Sequence, residues 1–424
     1  MKTFKTLVAA AALAAVGSCW SAPLDSGISV AANAPAASTA LPQSLGLVEF
    51  LSLVRSQHPV LRTLPLRQDM DQADIRTAST WANPSVHYAH KPDEKEWGIE
   101  QPLPIFGQVS MRTEAAKLAA ATASAERRVE AQDILSQAAQ RFAELQLAQA
   151  KLEAKQHTMA QLEQASRIVQ GQVALGARSQ YDGARVELQR AQVEAQLEQQ
   201  QADTLAAQAA LGELLAQPHW RPHALGSLQR SPSTPEPLPD AMWEQAAPRL
   251  LPLQAAHAKV VQTEQWVRQQ AREALPTPTV GVARIRNRPD GSSYNQVGVA
   301  VELPLFDRKQ GAVERARLEH SQALLEEDAA QQLAHQRLVQ ALAQRDLLRK
   351  TLLSFERRGL SQLEPLQRMA EDSYRLGKSS ILEWLDAMES VSEHQQQYLD
   401  LTLRVWQAQW ALDTARGQAL LPQE

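Results

Sequence analysis

The chain has 424 residues, of which 44% are hydrophobic and only 5% aromatic, and its formal net charge is −4. This balance, with no basic stripe, argues against a nucleic-acid-binding protein. The apolar residues are mostly Ala and Leu, which favour helix and leave little material for a large aromatic core. The length allows two or three ordinary domains, and the composition predicts that they are mainly helical.

The N-terminus has the layout of a secretory signal peptide. Lys2 and Lys5 precede a short apolar run from Leu7 to Val16, and small residues follow. We place the signal peptide at residues 1–22 and a flexible leader, rich in Ala, Ser and Pro, at residues 23–43. The apolar run is too short to cross a membrane as a helix. Export without a spanning helix predicts a periplasmic, secreted or outer-membrane protein.

Cys19 is the only cysteine, so the mature chain can form no internal disulfide. The preceding Val16-Gly17-Ser18 resembles a bacterial lipoprotein box, in which the cysteine becomes the lipidated first residue. Ordinary peptidase cleavage near Ser18 or Ser21 is the alternative, and the sequence leaves both open.

Residues 44–216 are interpreted as the first of two similar units. Helical patterning leads into a predicted β-hairpin at residues 83–103, where two strands flank a polar turn. From Gln108 to about Gln170 there is neither proline nor glycine, and apolar residues recur at seven-residue spacings. This pattern predicts a helix of about 95 Å with a coiled-coil-like seam. A helix break predicted near Gly171 and Gly176 places the tip of a helical hairpin near residues 171–182.

The same order of elements recurs after a proline-rich segment. Residues 217–239 hold six prolines and no periodic pattern, which predicts a linker or a compact non-helical insert. A second unit follows over residues 240–417, with a helix, a hairpin at 277–303 and a helix of over 60 residues. Its tip is predicted near residues 375–386, and residues 418–424 form a tail.

Three landmarks keep the two units in register. Each hairpin begins with a similar segment, Asn-Pro-Ser-Val at 83–86 and Thr-Pro-Thr-Val at 277–280. Leu-Pro-x-Phe follows each hairpin, at residues 103–106 and 303–306, and a Leu-Gly pair ends each long helix, at 175–176 and 376–377. Pro365 is the one proline inside the second long helix. Chance similarity between helical sequences would not also align the prolines and the strands.

The predicted strands form a sheet that one chain cannot close. Four strands leave two open edges, and an unpaired backbone group in hydrocarbon costs several kcal/mol. Alternation along Gln296–Val301 predicts a half-buried strand and fits either lipid on one face and water on the other, or a soluble sheet that caps helical hairpins. The aromatic residues available for a membrane interface are Tyr88, Trp97, Phe106 and Phe306.

These features resemble a TolC-type outer-membrane efflux factor over residues 44–417. The segment from Pro304 to Gly311 is most similar to the CzcC-type members, which serve heavy-metal efflux pumps. The resemblance implies a mostly α fold with a small β part. Three subunits would form a twelve-stranded outer-membrane β-barrel, continued by a long periplasmic α-helical barrel. Pro104 and Pro304 would lie where strand becomes helix.

The resemblance also implies a function without covalent chemistry, cofactor or bound metal. The protein would be a homotrimeric outer-membrane channel of a tripartite efflux system, exporting heavy-metal cations. Its partners would be a periplasmic adaptor, an inner-membrane resistance-nodulation-division pump and outer-membrane lipid. A multidrug-efflux or type I secretion channel of the same fold is one alternative. A periplasmic coiled-coil adaptor or scaffold is another, although the lipoyl-like or β-barrel domain of an adaptor is not evident.

In this family, acidic residues just past the second break line the closed periplasmic entrance. The corresponding residues are Glu383 and Asp386. Three-fold symmetry would turn them into two carboxylate rings, which attract cations and repel one another. The alternative reading is a solvated helix N-terminus, where acidic residues are favourable in any protein.

The family's latch pairs a tyrosine and an arginine with an aspartate of the neighbouring hairpin. Tyr374 and Asp182 match two of these residues. The arginine position is occupied by Ser379, so Lys378 or Arg178 would have to replace it.

Overall fold

The computed structural model of the protein describes residues 41–226 and 239–418. Cys19 and the predicted signal peptide lie outside the described residues, as do most of the predicted leader, linker and tail. The elements of the fold belong to the unit that begins at Ser44. Within the described residues, no helix combines the length and apolar character needed to cross a bilayer.

The first half of the chain is built around one very long helical hairpin. In chain order it contains β1 (Ser44–Leu45), α1 (Leu47–Gln57), α2 (Pro59–Ser79), β2 (Ser85–His90), β3 (Glu94–Pro102), α3 (Gln108–Ala174), α4 (Gln180–Leu214) and β4 (His223–Ala224). α1 ends before His58 because a residue that precedes proline avoids the helical region. Pro59 then begins α2, at a position where its missing N–H is not needed. α3 has 67 residues, so it spans about 100 Å.

The second half repeats this order with one difference in its long helix. It contains α5 (Pro239–Ala246), a 3₁₀ turn (Ala247–Arg249), α6 (Leu251–Glu273), β5 (Thr279–Asn287), β6 (Ser293–Ala300), α7 (Gln310–Phe355), a π turn (Glu356–Leu360), α8 (Ser361–Arg375) and α9 (Ile381–Ala415). The helix of over 60 residues predicted here therefore contains a π turn, which the sequence did not indicate. Residue spacing does not show where a helical turn accommodates an extra residue.

The helix break predicted near Gly171 and Gly176 lies between these two glycines. Gly171 lies inside α3, which continues to Ala174. One glycine in a helix interior costs only about 1 kcal/mol relative to alanine, which the packing of such a long helix offsets.

β2, β3, β5 and β6 form a four-stranded antiparallel sheet in that order. β3 pairs with β5, with Ile99 opposite Val282, and this pairing joins the two halves of the chain. β2 and β6 are the edge strands, each with one side unpaired among the described residues. β6 is exposed along its whole length, so the predicted half-buried strand was wrong for the single chain. β6 pairs with β5 on one side only, and nothing in the described chain covers either of its faces.

The core is distributed along the helices in separate clusters. Near the hairpin tips, apolar side chains of α3, α4, α8 and α9 pack together. Further along, Leu338 and Leu412 are fully buried between α7 and α9. Beside the β1–β4 pair, the Phe50 ring stacks on Phe142 and Trp220 with centroid distances of 5.5 and 6.3 Å. Small residues dominate the buried face of α3, which lets neighbouring helices approach closely.

Candidate functional site

The tips of the two helical hairpins are short turns of the same construction. In each, a glycine with positive φ ends the first helix: Gly176 at 69° and Gly377 at 70°. The N–H of Ala177 bonds to the Gln172 carbonyl, and the N–H of Lys378 to that of Ser373, both at 2.9 Å. These are Schellman motifs, in which glycine avoids the strain of a left-handed backbone. Both turns are therefore sharp and well defined. We call each turn, together with the first residues of the helix that follows it, a tip: tip 1 is residues 175–185 and tip 2 is residues 376–386.

A serine then begins the second helix of each hairpin. The Ser179 hydroxyl accepts from the Asp182 N–H at 3.2 Å, and the Ser380 hydroxyl accepts from the Glu383 N–H at 3.3 Å. Asp182 and Glu383 are thus equivalent residues, each the third of its helix. An acidic residue is favourable at this place because it interacts with the helix dipole. Both carboxylates consequently have a local structural role, whatever else they do.

Asp386 has no such role. It is exposed one turn further along α9, beyond the unpaired N–H groups of the helix end. The equivalent position in α4 holds Arg185. Tip 2 therefore presents two exposed carboxylates, Glu383 and Asp386, while tip 1 presents an acid and a base.

Tyr374 is completely buried behind tip 2. One face of its ring stacks on Trp384, with centroids 4.9 Å apart. The Arg178 guanidinium of tip 1 lies 4.5 Å from the ring centroid, and its Nη2 donates to the Tyr374 carbonyl oxygen at 3.0 Å. Burial raises the pKa of the Tyr374 phenol; Arg178 opposes this rise and Asp182 adds to it.

The structure therefore brings three of the predicted latch residues together. Arg178, one of the two proposed substitutes, connects tip 1 to Tyr374, while Asp182 lies near enough to influence the tyrosine electrostatically. Ser379 occupies the arginine position of the resemblance, and in the described part of the chain no side-chain hydrogen bond or ring contact joins Lys378 to Tyr374. Trp384 was not identified from the sequence. Its signal was an apolar residue at i+3 from Ile381, on the inner face of α9.

Several buried polar atoms around the tips have no hydrogen-bond partner within the described chain. They are Gln172 Oε1, Arg185 Nε, Tyr374 Oη and Ser379 Oγ. An unsatisfied buried polar group costs about 1–3 kcal/mol. The tips are thus less well satisfied in the single chain than the helices behind them.

At the other end of the hairpins, Pro104 and Pro304 lie between strand and helix. Each is the centre of a tight turn: Ile105 N–H donates to the Leu103 carbonyl and Leu305 N–H to the Leu303 carbonyl, both at 2.8 Å. This three-residue turn is common at strand ends. It directs the chain from the sheet into α3 and α7.

The register of the sheet sorts its side chains into two chemically different faces. On one face, Val86, Ile99, Val282 and Val297 form a row across all four strands. The next row toward the hairpin ends contains Tyr88, Trp97, Arg284 and Asn295, and the row after it contains His90, Lys95, Arg286 and Ser293. The sequence from apolar through aromatic to charged is typical of a surface that passes from lipid to water.

The opposite face is mostly small and polar, apart from Ile285 and Tyr294 near the hairpin ends. The His87 ring lies against Gly98, where an added Cβ would come too close to it, with Nε2 3.5 Å from Glu96 Oε1 and Nδ1 4.0 Å from Glu100 Oε1. Gly281 and Gly298 follow in the neighbouring strands. Within the described part of the chain, no three His, Cys, Asp or Glu residues are arranged to hold a metal ion.

Comparisons with known proteins agree with this architecture. Residues 243–418 match the family described as outer membrane efflux protein. The cobalt-zinc-cadmium resistance protein CzcC of Cupriavidus metallidurans is 24% identical over 319 residues, 75% of each chain. The CusC crystal structure has a TM-score of 0.74 at 19% identity and covers 90% of this chain and 96% of its own. VceC of Vibrio cholerae has a TM-score of 0.72 at 18% identity, with 88% and 96% covered.

Residues 243–418 thus match the outer membrane efflux protein family, and the whole described chain has the mostly helical, TolC-like fold of the solved efflux channels. The predicted resemblance to outer-membrane efflux factors is confirmed, and so is the outer-membrane localisation. The similarity to CzcC confirms that the resemblance extends to the heavy-metal resistance members.

Proposed function

We propose that three copies of this chain form an outer-membrane channel of a tripartite efflux system that exports heavy-metal cations. The observation that supports it most is the four-stranded sheet, which has two unpaired edges and one graded apolar face. An exposed sheet edge is a site for pairing with another chain, and a sheet in lipid must have no edges at all. Pairing of β2 of one copy with β6 of the next would remove them.

Three copies would contribute twelve strands, the number that the resemblance implies. The row containing Val86 and Val297, both 71% exposed in the single chain, would then face lipid. The face with His87, Glu96 and Glu100 would line the water-filled interior, where polar and charged residues are favourable.

The cargo follows from two separate indications. The curated relative is a cobalt-zinc-cadmium resistance protein, and the exposed carboxylates Glu383 and Asp386 would form rings that attract cations at the entrance. A multidrug-efflux or secretion channel of the same fold remains the alternative function. We further propose an adaptor protein and an inner-membrane pump of the resistance-nodulation-division type as partners.

In the closed channel, Glu383 and Asp386 would form the gate and Arg178 would take the place of the missing latch arginine. Its contact with Tyr374 supports this exchange. Asp182 and Tyr374 would complete the latch.

Insertion of the sheet into the membrane is tested by a matched pair of charges. Val297→Arg places a cation on the apolar face, at a cost of about 2–4 kcal/mol per subunit near the bilayer centre; Gln296→Arg places it on the opposite face of the same strand. Detergent-stable trimers in outer-membrane fractions should be lost for the first variant and kept for the second. Equal trimer yields, or a soluble periplasmic wild-type monomer, would contradict the barrel.

Cargo is tested in a strain lacking the gene. Loss of zinc, cobalt and cadmium tolerance, restored by the wild-type chain, is the expected result. Unchanged metal tolerance with increased drug sensitivity would instead favour the multidrug alternative.

A further inference from the structure

We propose that the π turn Glu356–Leu360 is the pivot of the second helical hairpin. The segment between this turn and tip 2 would swing on it when the channel opens. This inference depends on the proposed gate at Glu383 and Asp386, because a gate at tip 2 requires that some part of this hairpin moves.

The backbone ladder is weakened twice within ten residues. Between α7 and α8 the chain makes one wider π turn, a rare feature that is found mostly at functional sites. Pro365 follows inside α8, where it has no N–H to donate to the preceding turn. Bends in helices are localised at such places.

The first hairpin has no equivalent of this weak segment. The Leu-Gly pairs at 175–176 and 376–377 differ by 201 in residue number, and so do α4 and α9 at both ends. The π turn therefore corresponds to residues 155–159 of α3, which are regular helix, and Pro365 corresponds to Gln164. The π turn and the proline therefore occur only in the second hairpin, whose tip has both exposed carboxylates, and a bend is favoured at this point in that hairpin alone.

Side chains fasten the pivot to α9. The Phe355 ring stacks on His394 with centroids 6.0 Å apart. The Tyr398 hydroxyl donates to Glu356 Oε1 at 3.2 Å. The beginning of the π turn is thus held to the neighbouring helix of the same hairpin.

The same stretch of α9 is fastened to the first hairpin. Lys155 Nζ donates to Ser392 Oγ at 3.2 Å and to Gln196 Oε1 of α4 at 2.9 Å. Lys151 Nζ forms an ion pair of 2.6 Å with Asp400 Oδ1. We call the contacts of residues 392–400 with α3, with the end of α7 and with the π turn the girdle. At the girdle α9 is held on two sides, so only the segment between the girdle and tip 2 would swing.

Between the girdle and tip 2, the closed position is held by the packing around Tyr374 and Trp384 and by the Arg178 contact. These contacts include the buried polar atoms without partners, Tyr374 Oη and Ser379 Oγ. In an opened tip, water could hydrogen-bond to these atoms. This would lower the free-energy cost of separating the tips. A tip that opens and a girdle that stays closed is therefore the motion that these contacts favour.

The experiment compares a double variant of the pivot, Gly359→Ala with Pro365→Ala, with the single variant Gly171→Ala in α3. Gly359 lies in the π turn, where an added Cβ would make an ordinary contact of 3.8 Å with the Phe355 ring; Gly171 lies in α3, where it would meet nothing within 4 Å. Alanine favours regular helix over glycine by about fivefold in the helix–coil equilibrium. Gly359→Ala combined with Pro365→Ala should therefore stiffen the pivot, and Gly171→Ala should not.

Hydrogen exchange and single-channel recording would be measured on purified full-length trimers. In the wild type, amides of 356–364 should exchange at least about fivefold faster than those of 155–163. The double variant should remove that difference and lower the open probability several-fold, while Gly171→Ala changes neither. If the double variant misfolds, the wild-type exchange comparison still decides: equal rates in the two segments would overturn the pivot. A wild-type trimer that never conducts would instead overturn the proposed channel.

Discussion

The two helical hairpins share a frame and differ in what is attached to it. α4 and α9 both have 35 residues, both begin after a capping serine, and both follow a glycine with positive φ. The side chains at the tips are different: Asp182, Gly183 and Arg185 in tip 1 correspond to Glu383, Trp384 and Asp386 in tip 2. Backbone geometry is thus preserved where the turn requires it, and charge and bulk differ where a gate would need them.

The largest effect is expected from the residue that differs most between the tips. Trp384 is 4% exposed and stacks on Tyr374, so Trp384→Ala should cost about 3–5 kcal/mol of local stability. Hydrogen exchange should accelerate in tip 2 and in the adjoining part of α8. Gly183→Ala, at the equivalent position of α4, is the control and should have little effect, since the nearest atom to its new Cβ would be 3.9 Å away. Similar exchange in both variants would show that tip 2 does not depend on this aromatic pair.

Variants of the two acidic residues of tip 2 distinguish a role in the gate from a role in ordinary helix capping. Asp386→Ala removes a carboxylate with no capping role that attracts cations, so it should lower cation conductance and lower cation preference by on the order of 1 kcal/mol. Glu383→Gln should lower cation preference similarly but also weaken the first turn of α9. Single-channel recording of both variants, with Arg185→Ala as control in tip 1, distinguishes the readings. Unchanged conductance and selectivity for Asp386→Ala would remove the gate from the proposal.

Arg178 provides the next comparison, because the contact runs from tip 1 to tip 2. Arg178→Ala should loosen the tips by up to about 2–4 kcal/mol, the sum expected for a partly exposed cation–π contact and a hydrogen bond from a charged donor. Open probability should rise several-fold. Ser379→Arg in that background, which restores an arginine at the family's position, should reverse part of the change. If neither variant differs from wild type, the Arg178–Tyr374 contact is no latch.

The element order was predictable because its signals are local. Hydrophobic spacing, the Leu-Pro-x-Phe segments and the Leu-Gly pairs each act over a few residues, and they indicated long helices, hairpins and tips. The contacts that define the site are not local. Nothing near Arg178 in the chain indicates that it lies on Tyr374, 196 residues away. The π turn was missed because Glu-Arg-Arg-Gly-Leu has the composition of an ordinary exposed helix. The edge strand β6 was misread because burial depends on neighbours that a single chain lacks.

The smallest effect concerns Lys155, the buried cation of α3 whose counterpart in the second hairpin is Glu356. Burial lowers its pKa from the ordinary 10.5, while Glu389 and Glu393 oppose that shift. Below the lowered pKa the lysine is charged in both states, and the folded protein bears the cost of desolvation. As pH rises toward 10.5, the folded state loses this proton before the unfolded state does, so the free energy of unfolding should rise with pH and then level off.

Lys155→Met keeps the length of the side chain and removes the charge. The difference in unfolding free energy between wild type and variant should therefore change with pH, by less than about 1.4 kcal/mol per unit, only in the window below 10.5. Denaturant unfolding of both proteins from neutral pH to pH 11 measures it. Lys151→Met is the control, since Lys151 has an ion-pair partner in Asp400 and is more exposed. Parallel curves for wild type and Lys155→Met would show that the lysine reaches water in the folded protein, and the girdle would then be weaker at that point than its two hydrogen bonds indicate.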